Sequence, residues 1–485
     1  MSQPLQDPTL KSLSLHQLYK ACVLKDLPFK STKQLEPLAE IVGQNRAQEA
    51  VCFALAMPHG GYNVYAVGRN GLGKRTMMLR YLEHHLDTEQ QSHDWCYVAD
   101  FEEPRVPKLL QLPAGKGVRL KQDMEKLMSR LVKVIPQTFD SDSFLERSEQ
   151  LKEEYGKKQE DELEKVAAQA RRKKVSLTIT TPGGYRLVAM KGDKPHTAET
   201  FKALTEAQRE KFEDSVNKLE KKLRQALRKL ADWEQEYADK QQALNRETLE
   251  GISGHQIDEL IEHYKNLPDV VAYFEAVRAD LVENLEIFLD DNEEQAAIAY
   301  ASLDKKMPRR YLVNVLVHQK TNEVPMVVED NPTYHNLFGY VENVTYKGTV
   351  FTDFSLIRAG SLHRANGGYL LMDAIKMLEQ PFVWDGLKRA LRSRSIQINS
   401  LERELTLSGT ISIEPQGVPL DVKLVLFGDR ETWMLLQDYD PEFAELFRVT
   451  ADFENEMYRS DDSQVMYAKF IASVVKEKNL LHCTN

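Results

Sequence analysis

Apolar and polar positions follow different rhythms in different parts of this chain. Short, almost continuous apolar, β-branched and aromatic runs occur at Tyr62–Val67, Asp94–Phe101, Tyr311–Val317, Tyr369–Asp373 and Val422–Phe427. Runs of that length suit strands buried on both faces, as in a parallel sheet. From about Lys121 to about Asp290 the pattern becomes long, charged and amphipathic. Its clearest part passes through Phe212, Val216, Leu219, Leu223, Ala226, Leu230, Trp233 and Tyr237, spaced alternately by three and four. That is a heptad seam, and it predicts a coiled-coil helix with a solvated outer face. One strictly alternating pair, Val175–Thr180 and Tyr185–Met190, flanks Thr181-Pro182-Gly183-Gly184 and predicts a β-hairpin. The basic approach to it, Arg171–Lys174, either touches a substrate or is a solvated helix end whose charge suits the helix dipole. Further helices are predicted around Ser14–Cys22, from Ala47 to Leu55 and from Gln464 to Lys478.

One turn between a strand and a helix carries candidate chemistry. Gly68-Arg69-Asn70-Gly71-Leu72-Gly73-Lys74-Arg75-Thr76 follows the run ending at Val67 and precedes the helical pattern Met77–Leu82. Glycines let backbone N–H groups converge on phosphate oxygens, the helix N-terminus adds positive potential, and Lys74 reaches the outer phosphates. The alternative is a glycine turn with a purely structural role. The P-loop pattern places Ser or Thr directly after the lysine as a magnesium ligand. Here Arg75 stands there, and Thr76, one residue and about 100° further round the helix, should point elsewhere. The expected nucleotide-binding set is Gly68, Asn70, Gly71, Gly73, Lys74, Arg75, Thr76 and Asp373. The last ends the apolar run at Tyr369 and would hold magnesium through water, as a Walker B carboxylate does.

Composition narrows the classes. The chain has 485 residues, enough for about three domains, with a formal net charge of −10. The acidic balance and the lack of a basic stripe argue against nucleic acid as a partner. The four cysteines are scattered without a CxxC pair, which fits a reduced, cytoplasmic protein. No apolar run is long enough to span a membrane, and Met1–Pro8 does not have the pattern of a signal peptide.

Taken together, Val42-Gly43-Gln44 with Arg46-Ala47, the P-loop after Gly61–Val64, Pro332–Gly339, and Gly360–Gly368 resemble the Lon-related AAA+ proteases, in their B- and C-type branch. The run His363-Arg364-Ala365-Asn366-Gly367-Gly368 is the most specific of these. The resemblance implies an α/β fold: a P-loop AAA+ core, a parallel sheet flanked by helices, with a long helical insertion carrying the hairpin. Expected segments are an arm at 1–35, core at 36–118, insertion at 119–300, core at 301–455 and the start of a helical lid at 456–485. It implies ATP or ADP with magnesium, self-association into a ring, a hexamer by analogy, and unfolded or damaged proteins as clients. Asp429 falls at the sensor position, and Arg448 is a candidate arginine finger or else a surface residue at a helix end. The helix before the P-loop strand either closes over adenine or only covers the sheet. Tyr346–Gly348 or Phe351–Phe354 would supply a substrate-gripping aromatic, unless these rings are core.

Where family members carry the water-activating Glu after the Walker B Asp, this sequence has Ala374. The Ser–Lys protease dyad of the family has no counterpart among these residues. The expectation is therefore a Lon-type ATPase-like module that binds adenine nucleotide weakly, hydrolyses it negligibly and cleaves no peptide by itself. The alternative is a non-enzymatic ring scaffold or client-capture protein with a relic nucleotide site.

Overall fold

A computed structural model describes residues 12–18, 27–36, 43–57, 60–85, 92–180, 184–191, 194–195, 206–289, 308–321, 323–346, 349–398, 413–456 and 458–484. The chain divides into two compact units, one of residues 1–96, 111–117 and 315–485, the other of 97–110 and 118–314.

The first unit is built on a five-stranded sheet. Its order is Val449–Asp452, Val64–Val67, Val422–Gly428, Gly368–Asp373, Met326–Glu329, and every pairing is parallel. Strands in such a sheet are covered on both faces, which explains why Val64–Val67 is buried at every residue. The helix Asn45–Ala56 places Ala47, Val51 and Ala54 in the core, and the helix Lys74–His85 adds Met78, Tyr81 and Leu82. This is the expected α/β AAA+ architecture. Two of its strands, Met326–Glu329 and Val449–Asp452, are not among the apolar runs picked out in the sequence.

Buried amides fix the register of this sheet. Asn63 is 4% exposed; its Nδ2 donates to the Leu446 carbonyl at 2.8 Å, and its Oδ1 accepts from the Leu424 N–H at 2.9 Å. One side chain thus ties the start of the P-loop strand to segments on both sides of it. Nearby, the Lys423 ammonium donates to the carbonyls of Ala54 and Met57 at 3.0 and 2.6 Å, satisfying the end of the helix Asn45–Ala56. Burial pushes that lysine below its usual range, opposed by Asp421.

The second unit is helical. The helix Asp142–Arg172 runs antiparallel to Glu206–His263, which has 58 residues and is about 87 Å long at 1.5 Å per residue. Arg147 pairs with Glu247, the Tyr155 ring lies tilted against that of Tyr237, Glu162 accepts from Lys229, and Lys222 reaches Gln169. Leu219, Leu223 and Ala226 of the predicted seam are buried against Val166 and Ala170. The hairpin is Val175–Thr180 paired antiparallel with Gly184–Lys191, and Leu177 and Leu187 pack onto the helix pair. At the other end Tyr264 Oη donates to Asp123 at 2.8 Å, while Asp280 accepts from Arg310 and from Tyr311 at 2.5 and 2.7 Å. Among the described residues, no helix is long and apolar enough to cross a membrane.

Some expectations fall elsewhere. The first helix spans Leu15–Leu18 and residues 19–22 of the predicted Ser14–Cys22 lie outside the described residues, as do Val42, Thr181–Gly183 and Lys347-Gly348. The last helix is Asp461–Glu477. Phe354 is 7% exposed, a core ring rather than one offered to a substrate.

Candidate nucleotide site

In open α/β sheets, ligands bind beyond the carboxyl ends of the strands. A cavity of about 360 Å³ lies there, lined by Asn70–Arg75 from the P-loop, Met372, Asp373 and Lys376 from the Walker B side, and Val328–Asp330 from the edge strand. The distant halves of the predicted site therefore meet, with Lys74 and Asp373 lining one hollow. Gly71 and Gly73 hold φ of 89° and 72°, a conformation that a side chain would strain. The glycine turn and its helix place Lys74 in the first helical position.

Lys74 is only 7% exposed. Its Nζ donates to the Gly68 carbonyl and, at 2.8 Å, to that of Gly428 at the end of the neighbouring strand. Burial pushes its pKa down, and the Asp373 and Asp429 carboxylates oppose that shift. Gly68 itself enters through this carbonyl and not through the cavity wall. Arg75 projects across the mouth and forms a two-pronged pair with Asp330, at 2.5 and 3.2 Å. The hydrogen bond from Arg75 holds the Asp330 carboxyl below the usual range. Thr76 is exposed and lies outside the lining, as one residue of helical rotation requires.

Asp373 caps the helix Ala374–Leu378: its Oδ1 accepts from the Lys376 N–H at 3.0 Å. Asp429 caps Arg430–Tyr439 in the same way, through Thr432 at 2.7 Å, and that backbone N–H lowers its pKa. It does not line the cavity, although its charge is felt at Lys74. Arg448 is exposed, just before the strand Val449–Asp452, with its guanidinium 5.5 Å from the Tyr62 ring centre. Gln44 exchanges two hydrogen bonds with the backbone of Glu454, at 3.0 and 2.8 Å, so the segment before the first core helix is fastened to the far side of the P-loop strand.

Three charged wall residues escaped sequence reasoning: Glu329, Asp330 and Lys376. The available signal was Met326–Asp330, a short apolar run closed by two carboxylates, the same form as the Walker B run. Magnesium needs near-octahedral oxygen ligands. The position after Lys74 offers a guanidinium, Thr76 is turned away, and one Asp373 oxygen is engaged by backbone. Among the described residues no group of three or more His, Cys, Asp or Glu could hold a metal. The hydroxyl ligand of a P-loop magnesium is therefore missing at this position, while Glu329, Asp330 and Asp373 remain as carboxylates on the cavity wall.

The His-Arg-Ala-Asn-Gly-Gly run sits at the opposite end of the Walker B strand. His363 is fully buried; its Nδ1 accepts from the Gly360 N–H at 3.2 Å, and Nε2 has no partner among the described residues. Burial and then the Arg364 charge lower its pKa to about 3. Asn366 Nδ2 donates to the Pro419 carbonyl at 2.6 Å, and its Oδ1 accepts from the Asp421 N–H at 2.8 Å. A Cβ on Gly368 would lie 2.0 Å from the Pro325 carbonyl oxygen, so only glycine fits. Arg364 alone reaches back towards the cavity, 3.8 Å from Glu329, which also accepts from Ser361.

A parallel five-stranded sheet, a P-loop and a facing Walker B carboxylate define an AAA+-type P-loop core. Residues 322–454 match the family model described as LonB-like, AAA domain, and residues 94–127 match the Lon-like LonC helical domain. Two separate stretches of the chain are thus Lon-related in sequence. A putative Lon protease homolog of Escherichia coli (strain K12) is 24% identical over 125 residues, 26% of this chain and 20% of that protein. The matched stretch therefore spans about a fifth of the relative's length. A crystal structure of NtrX from Brucella abortus aligns with 15% identity and a TM-score of 0.22 over 32% of each chain, too slight a likeness to define a shared fold.

Proposed function

We propose that this chain is the nucleotide-binding module of a Lon-type proteolytic assembly, and that it holds adenine nucleotide without turning it over at the rate of a working AAA+ ring. The observation that carries this reading is the convergence of Lys74 and Asp373 on one cavity whose magnesium-ligand position is taken by Arg75 and whose water-activating position is Ala374. Loss of a catalytic electrostatic partner typically costs about 3 kcal/mol of barrier, and two such losses make ordinary turnover untenable. Self-association into a ring, with unfolded or damaged proteins admitted past the helical arm, completes the reading. The buried seam along Leu219, Leu223 and Ala226 supports a coiled-coil arm stiff enough to stand at such an entrance.

The scaffold alternative, a ring that keeps only a relic site, draws support from the Arg75–Asp330 pair lying across the cavity mouth. Equilibrium titration with a fluorescent ADP analogue separates the two. Saturable binding that falls at least tenfold in Lys74→Ala supports the nucleotide-binding reading, since a charge-assisted contact is worth about 1.5–3 kcal/mol. No binding supports the relic. Steady phosphate release at an AAA+ rate, abolished by Lys74→Ala, would overturn the non-hydrolysing part.

A further inference from the structure

Two half-exposed side chains at the cavity mouth point to a rule for which form of nucleotide is taken. Arg75 and Asp330 are 49% and 64% exposed at their side chains, so their pair is solvent-screened and held weakly. Yet its geometry is the two-pronged fork, with both guanidinium nitrogens on both carboxylate oxygens. The same fork fits two oxygens of a phosphate, and a guanidinium sheds water more readily than an ammonium does. Lys74 and Lys376 line the same cavity, so a phosphate entering it would meet three cationic side chains, balanced on the wall by the carboxylates of Glu329, Asp330 and Asp373.

A magnesium-bound nucleotide presents a different face. Its outer phosphates are already partly neutralised, and its cation would arrive at a position occupied by the Arg75 charge, with no hydroxyl from Thr76 to receive it. Resting on the nucleotide-binding reading above, we propose that the Arg75 guanidinium replaces the divalent cation. The cavity then takes a nucleoside diphosphate or triphosphate as the free anion, Asp330 yields Arg75 to the phosphate, and magnesium weakens binding.

The test is calorimetric titration of the full chain with ADP, once in EDTA and once in excess magnesium, at fixed ionic strength. Wild type should bind in EDTA and lose affinity several-fold with magnesium. Arg75→Thr, which restores a hydroxyl after Lys74, should bind about tenfold or more weakly in EDTA and regain affinity with magnesium, reversing the wild-type order. Asp330→Asn frees the guanidinium without touching the P-loop, so it should tighten binding in EDTA even if Arg75→Thr does not fold. Binding by wild type only with magnesium would overturn this inference and leave the nucleotide-binding reading standing. Weaker binding by Asp330→Asn in EDTA would also overturn it. No binding under either condition would remove the reading and the inference together.

Discussion

The first residues of the strand Gly368–Asp373 and its last residues are held by different forces. At its start, His363, Asn366 and Gly368 are buried and bonded to backbone, and a Cβ has nowhere to go. At its end, Asp373 faces a cavity whose rim is the half-exposed Arg75–Asp330 pair. The run His363–Gly368, which carries the resemblance most strongly, is therefore held as architecture. The P-loop side carries Arg75 directly after Lys74, in a solvated pair with Asp330. Steric and buried polar contacts tolerate no substitution, whereas a solvated ion pair can drift in sequence at little cost to the fold.

The comparison breaks first, and hardest, at Gly368. Gly368→Val should destabilise the first unit by about 3 kcal/mol or more, because backbone must shift to admit the side chain. Loss of the cooperative thermal transition, or its displacement well below that of wild type, would show it, and an unchanged melt would mean the strand start is not locked. Asn366→Ala follows, at about 2–3 kcal/mol, since it leaves the Pro419 carbonyl and the Asp421 N–H without their partner. Chemical denaturation measures this directly.

His363 sharpens the contrast through pH. Its folded pKa is about 3 against an ordinary 6.5, so the unfolded chain takes up a proton where the folded chain does not. This contribution to stability is intact above pH 6.5 and falls as pH drops from there towards 3, by up to about 1.4 kcal/mol per pH unit. His363→Gln keeps an acceptor for Gly360 but cannot titrate, and should flatten that part of the stability–pH curve. An equally steep curve in the variant would assign the slope to other groups. The smallest effect belongs to the cavity rim: Arg75→Ala should change stability by no more than about 1 kcal/mol while altering nucleotide affinity.

Much of this was legible in the sequence, for identifiable reasons. The P-loop announces itself because a glycine turn, a lysine and flanking periodicities are all local. The hairpin around residues 175–190 and the seam through Leu219, Leu223 and Ala226 are also local patterns. The edge strand Met326–Glu329 and the strand Val449–Asp452 are no shorter than Val64–Val67, but no glycine turn follows them to mark them out. Asp330 stayed hidden as a wall residue because its importance comes from a partner 255 residues away, Arg75. The side chains that lock the Walker B strand were visible as a motif, but not as mortar, since their partners Pro325, Pro419 and Asp421 carry no signature of their own.

Asn63 carries a consequence for the order in which the protein is made. Its two backbone partners lie 361 and 383 residues downstream. At about 5–20 residues per second, the ribosome needs roughly 20–80 s after making Asn63 to supply either one. Through that interval the strand Val64–Val67 has its flanking helices but neither of its neighbouring strands, so the nascent chain offers two unpaired strand edges for longer than it would if those strands were adjacent in sequence.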